Sequence, residues 1–231
     1  MLLNMCGAHG HFTTIQHSLA PSFNVLMCLK GLDEQPLAPL DVYMSNEDLL
    51  TKKDKLEPIN YESIIFFELA KRLVMRDMEK AKEMADLGKE SFKMKRLLLF
   101  YVHFDLYAGL TACYFARQTG DNSQLEEVQK TCNQLDHLCT HSKWNMEHKY
   151  HLLKAEYHYS NGENGKAIES YQKAVNAAKE HKFIHEMAIG CELAGYFYKQ
   201  QGDKVKARAM FNQARKAYIE WGVARKAKMF T

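Results

Sequence analysis

The residues of this chain best suited to chemistry are His137, Cys139 and His141, with His148 and His151 shortly after. On a helix His137 and His141 stand one turn apart, the spacing that lets two imidazoles share an ion, and Cys139 lies between them. No carboxylate completes a recognised ligand motif, and the cluster falls at the end of one helical segment and in the turn beyond. A solvated helix-terminal group is therefore the default, and a metal sensor or metal-dependent enzyme using these three residues is the alternative. His181 and His185 flank a turn and make a weaker pair, and His9 and His11 read as a surface pair. A nucleophile would be Cys139 or Cys113 with one of these histidines. Adjacency along a helix is not the geometry of a triad, however, which needs a base oriented by a third group and an oxyanion site. Gly7-Ala8-His9-Gly10 lacks the lysine of a phosphate loop. Neither a catalytic residue, a metal nor a cofactor is expected.

The elements that must position any site are announced by a motif written twice in the same phase. Gly162, Ala167, Tyr171 and Ala174 are answered 40 positions later by Gly202, Ala207, Phe211 and Ala214. A glycine ending one helix, then a helix with alanine, aromatic and alanine on one face, is how a helical pair packs on its neighbour. Ala207, Phe211, Ala214, Tyr218 and Trp221 continue that face at spacings of 4, 3, 4 and 3. Ala167, Tyr171, Ala174 and Ala178 draw a second stripe, and Leu125, Val128, Cys132 and Leu135 a third. Turn signals near Arg76, Gly120, Gly162 and Gly202 bound helices at 59–75 and 77–93, 96–118 and 123–141, 144–161 and 164–181, 184–201 and 204–221. Glycine at the breaks near 120, 162 and 202 supplies the left-handed cap, and the Asp, Asn or Ser beyond it is expected to cap the next helix. Stepping back from Arg76 reaches Gly31, which ends an apolar segment at 12–30 containing Pro21. Residues 33–58 read as a long loop, or a short helix around 37–52.

Composition narrows the classes. The 231 residues include 46% hydrophobic and 26% charged side chains, only 4 prolines and 12 glycines, as expected of a folded α-helical chain. A net charge of +3 is too small to imply nucleic acid, and the aromatics fall at core positions rather than on a stacking surface. No apolar run is long enough for a membrane span, and residues 1–11 do not read as a signal peptide. Six scattered cysteines without a C-x-x-C pair read as buried reduced thiols, which fits a cytoplasmic protein.

The G-x4-A-x3-[FY]-x2-A signature resembles a tetratricopeptide repeat, with Gly195 and Tyr198, and Ala155 in the other copy, at the first-helix positions. His158 departs from it where an aromatic is usual. The runs Asn145-x2-His148-Lys149-Tyr150, Ala155-Glu156, Glu192-Leu193-Ala194, Phe197-Tyr198-x3-Gly202 and Tyr218-x2-Trp221-Gly222 are more specific. Over residues 95–230 they resemble the helical region of very large signalling proteins that join a serine/threonine-kinase-like domain, an AAA-type ATPase and a histidine-kinase output. No kinase, P-loop or phosphotransfer text of those modules occurs in this chain.

The resemblance implies an all-α, right-handed solenoid of antiparallel helical pairs of about 40–45 residues. Residues 1–58 would form a degenerate N-terminal repeat with a loop, and 59–231 the regular array. It also implies a non-enzymatic interaction or scaffold module that binds a protein or peptide in a concave groove, or links flanking ATPase or kinase modules. By analogy the first helix of each pair lines the groove, placing Lys149, Leu152, Glu156 and Tyr159 there from one repeat. Ile189, Glu192, Tyr196 and Lys199 would line it from the next. Glu156 and Glu192 have a second expected role, pairing between neighbouring repeats. The basic tail, Arg215, Lys216, Arg225, Lys226 and Lys228, reads as a solvated helix face or a docking site for a downstream domain.

Overall fold

A computed structural model of the chain describes Val25 and residues 28–31, 46–51, 53–92 and 98–230. Every regular element among them is helical. In order these are α1 (Asn46–Leu50), α2 (Pro58–Met75), α3 (Met78–Ser91), α4 (Leu98–Thr119), α5 (Leu125–Ser160), α6 (Asn164–Glu180), α7 (Ile184–Gln200), α8 (Lys204–Trp221) and α9 (Ala224–Ala227). The chain divides into two compact units between Phe100 and Tyr101, a division that falls inside the region the repeat pattern presents as continuous. The segment around Pro21, the His9/His11 pair and most of the 33–58 loop lie outside the described residues.

Residues 28–30 are helical and end at Gly31 (φ +74°), where the sequence placed a stop. In the same unit α1 and α3 pack against α2, whose Ile64, Ile65 and Leu69 are fully buried. Pro58 opens α2, where its missing N–H costs no hydrogen bond.

One turn recurs. At Arg76, Gly162, Lys182, Gly202 and Gly222 a residue with φ between 62° and 86° closes a helix. The next amide then reaches back five residues: Asp77 to the Arg72 carbonyl, Glu163 to His158, Phe183 to Ala178, Asp203 to Tyr198 and Val223 to Tyr218. This is a Schellman closure, which satisfies carbonyls that would otherwise be orphaned at the helix end. The last four turns are spaced 20 residues apart, so the 40-residue motif is built of two equal helix-plus-turn halves. Capping differs from expectation. Asp203 alone of the residues after these five turns accepts an amide, from Lys206 at 3.0 Å, while Asp77, Glu163, Phe183 and Val223 make no side-chain cap.

The expected helices at 123–141 and 144–161 are the two arms of α5, which meet at a kink where the backbone of Ser142 leaves helical geometry (φ −148°, ψ 61°), at the break the sequence placed there. In the 101–231 unit α5 packs on α6, α6 on α7 and α7 on α8, with α9 folded back onto α8. The three apolar stripes meet in this core. Leu125, Val128, Cys132 and Leu135 are buried, as are Ala167, Tyr171, Ala174 and Ala178, whereas Phe211 and Trp221 are half-buried. A Cβ on Gly109 would stand 2.8 Å from Leu153, and one on Gly195 2.7 Å from the Phe211 ring, so both glycines mark close helix approach.

Candidate functional site

Lys149, Glu156 and Glu192, three of the six expected groove residues, are 2% exposed and spent on internal pairs. On α5, Glu156 accepts from Arg117 at 2.6 Å and from the Tyr171 hydroxyl of α6. On α7, Glu192 accepts from the Tyr218 hydroxyl of α8 and from Lys226 of α9, both at 2.6 Å. Buried carboxylates persist only when paired and hydrogen-bonded in this way. Both glutamates therefore fasten helices together and are withdrawn from the surface: Glu156–Arg117 joins neighbouring expected pairs, whereas each tyrosine lies on the second helix of the glutamate's own pair. Leu152 and Ile189 are likewise core.

The remaining three reach the surface. Tyr196 is 37% exposed, its ring held edge-on against Phe211 at 5.1 Å. Lys199, one turn further along α7, is exposed. Tyr159 is half-buried between the Arg117 guanidinium, 4.3 Å over its ring, and Phe197, edge-on at 5.0 Å. Of the basic tail, Lys226 is fully buried on Glu192, and Arg215, Lys216, Arg225 and Lys228 stay exposed.

Among the described residues no carboxylate joins His137, Cys139 and His141 in a cluster of ligand atoms. His137 and His141 are exposed, with rings 5.1 Å apart, and Cys139 is half-buried. Burial pushes the Cys139 thiol up to about 11, and that of Cys113 higher still, so neither is a thiolate at neutral pH. The cysteines among the described residues are free thiols.

A different cluster assembles around Glu186, in the first turn of α7. Its side chain is 1% exposed, with His185 Nε2 at 2.5 Å, Lys149 Nζ at 3.2 Å, His103 Nε2 at 3.4 Å and His148 Nε2 at 3.8 Å. Despite that company, neither carboxylate oxygen receives an aligned hydrogen bond. Burial pushes this carboxyl up, but the three imidazoles outweigh it and hold the group well below the usual carboxylate range. Lys149 donates to the Asn145 carbonyl at 2.9 Å, touches His148 Nε2 at 2.9 Å and lies 4.7 Å over the Phe183 ring. Burial lowers the pKa of both Lys149 and His148. Of this group the sequence reading singled out Lys149, His148 and His185, each in another context, and neither His103 nor Glu186. No helix among the described residues is long and apolar enough to cross a membrane.

No family model, curated protein or solved structure matches the chain.

Proposed function

We propose that the chain is a non-enzymatic docking module of tetratricopeptide-like type, whose 101–231 unit is a right-handed solenoid of antiparallel helical pairs. It holds a peptide or partner helix against the face presented by Tyr159, Tyr196 and Lys199. The observation that carries this reading is recurrence: the same left-handed turn closes a helix at 162, 182, 202 and 222. Regular stacking of this sort makes an extended rigid surface, and such surfaces bind.

The physical basis of docking is preorganisation. Tyr196 and Tyr159 are aromatic anchors already fixed by Phe211, Arg117 and Phe197, so little rotamer entropy remains to be lost on binding. Lys199 adds a positive charge one turn from Tyr196, which favours a segment with an apolar residue beside a carboxylate. The likeness of residues 95–230 to the helical region of large signalling ATPase–kinase proteins supports a cytoplasmic scaffold role beside such modules. Linking those flanking modules is the second way the same surface would work.

Affinity capture with the purified chain and with a Tyr159→Ala/Tyr196→Ala variant tests the reading. A protein retained by the parent and lost by an equally stable variant is the expected result. Capture indifferent to both tyrosines would contradict it.

A further inference from the structure

We propose that His103, His185 and Glu186 form a binding site for one divalent transition-metal ion of the zinc class. The site joins α4 to the first turn of α7, with His103 and His185 82 positions apart in the chain.

An anion removed from water at a cost of several kcal/mol should be met by aligned donors, yet both oxygens of Glu186 lack one. Two imidazole nitrogens on different helices converge on it instead. His103 Nε2 lies 3.4 Å from Oε1 and His185 Nε2 2.5 Å from Oε2, and the three ligand atoms all lie within 4.8 Å of one another. In a tetrahedral zinc site, donors at about 2.0–2.1 Å from the ion stand roughly 3.3 Å from each other. Side-chain adjustments of about an ångström therefore bring this triplet to ligand geometry. Two imidazoles with one carboxylate select zinc-like ions over calcium or magnesium, which take oxygen ligands.

Lys149 is the obvious competitor, since its ammonium stands 3.2 Å from Oε1. One ammonium balances the charge of one carboxylate, and His103 and His185 converge on the same two oxygens beside it. Lys149 also has other acceptors, the Asn145 carbonyl and His148 Nε2, each at 2.9 Å. It can release Glu186 without losing every partner. His148 Nε2, engaged by that ammonium, is not counted among the ligands. An ion has a way in, because the side chains of His103 and His185 are 15% and 34% exposed.

Zinc titrated into chelator-treated full chain, against a chromophoric competitor, tests the site. The expected result is one zinc per chain, a rise in melting temperature, and an affinity lower by roughly tenfold or more in His103→Ala and His185→Gln. His185→Gln, at the rim, keeps the fold intact by circular dichroism even if Glu186→Gln does not. Lys149→Met is expected to tighten binding, an effect that a purely structural cluster would not produce. The His137→Ala/His141→Ala variant should bind like the parent. Sub-stoichiometric binding, binding indifferent to His103 and His185, or binding lost with His137 and His141 would each overturn the proposal.

Discussion

Glu192 and Lys226 show what a buried charge does in this molecule. Lys226 is fully buried, and its ammonium also lies 5.4 Å over the Phe230 ring, so the C-terminal turn is held down by one ion pair. Removing one partner strands the other charge, at a cost of about 3–5 kcal/mol. Glu192→Ala should therefore lower the urea midpoint strongly, and Glu192→Leu with Lys226→Met should recover most of the loss. An unaltered midpoint in the single variant would show that the pair contributes nothing. His151 sets a pH dependence. Burial depresses its pKa, with Glu147 and Asp136 opposing and Lys173 and Lys154 reinforcing, and its Nδ1 is buried without a partner. Below about 6.5, the ordinary imidazole value, the unfolded chain takes up a proton that the native state resists. Stability thus falls as pH drops through that window, and His151→Gln should flatten the slope between about pH 6.5 and pH 5. A slope unchanged by the substitution would rule out this origin. At this scale the sequence was least legible. Lys149, Glu156 and Glu192 fall at groove positions by analogy with the first helix of a repeat, which assigns a face but not what that face packs against. Their partners sit at unequal separations, 15 residues from Glu156 to Tyr171 and 26 from Glu192 to Tyr218, so no periodicity points to them. His103 and Glu186 meet only once α4 and α7 have folded.

Helices were the most legible feature, because their ends are written in residues that must adopt positive φ. Gly162, Gly202 and Gly222 do so freely, and the same closure at Arg76 and Lys182 shows that the turn also forms without glycine. The caps were not legible, since a Schellman turn fixes the chain direction without help from a polar side chain. Two glycines inside helices separate packing from propensity. Gly109 faces Leu153, fully buried with no room to retreat, so Gly109→Ala is expected to destabilise by about 1–2 kcal/mol after the gain in helix propensity. Gly195 faces Phe211, a half-buried ring that can swing outward, so Gly195→Ala should be close to neutral. Thermal denaturation of both variants checks this, and equal losses would contradict the packing account. At Gly202, where φ is +79°, alanine meets no atom but is strained, and a loss of about 1 kcal/mol is expected.

At the scale of the molecule, the repeat in sequence and the 20-residue helix-plus-turn rhythm are one fact seen twice. Small residues let neighbouring helices approach, as at Gly109 and Gly195, and left-handed turns close successive helices at 20-residue intervals. What periodicity cannot specify is which side chains are left for a partner, because that depends on which polar groups the core consumes. With Lys149, Glu156 and Glu192 consumed, Tyr159, Tyr196 and Lys199 remain, and docking through them is the central claim. The most direct measurement is selection of a random-peptide library on the intact chain, with the recovered sequences then titrated against Tyr196→Ala and Lys199→Glu variants of matched stability. The account predicts a consensus with an apolar anchor beside a carboxylate. Its affinity should fall by about tenfold or more in each variant, the cost of losing one anchoring side chain. A library that yields no consensus, or one that binds both variants as it binds the parent, would contradict it.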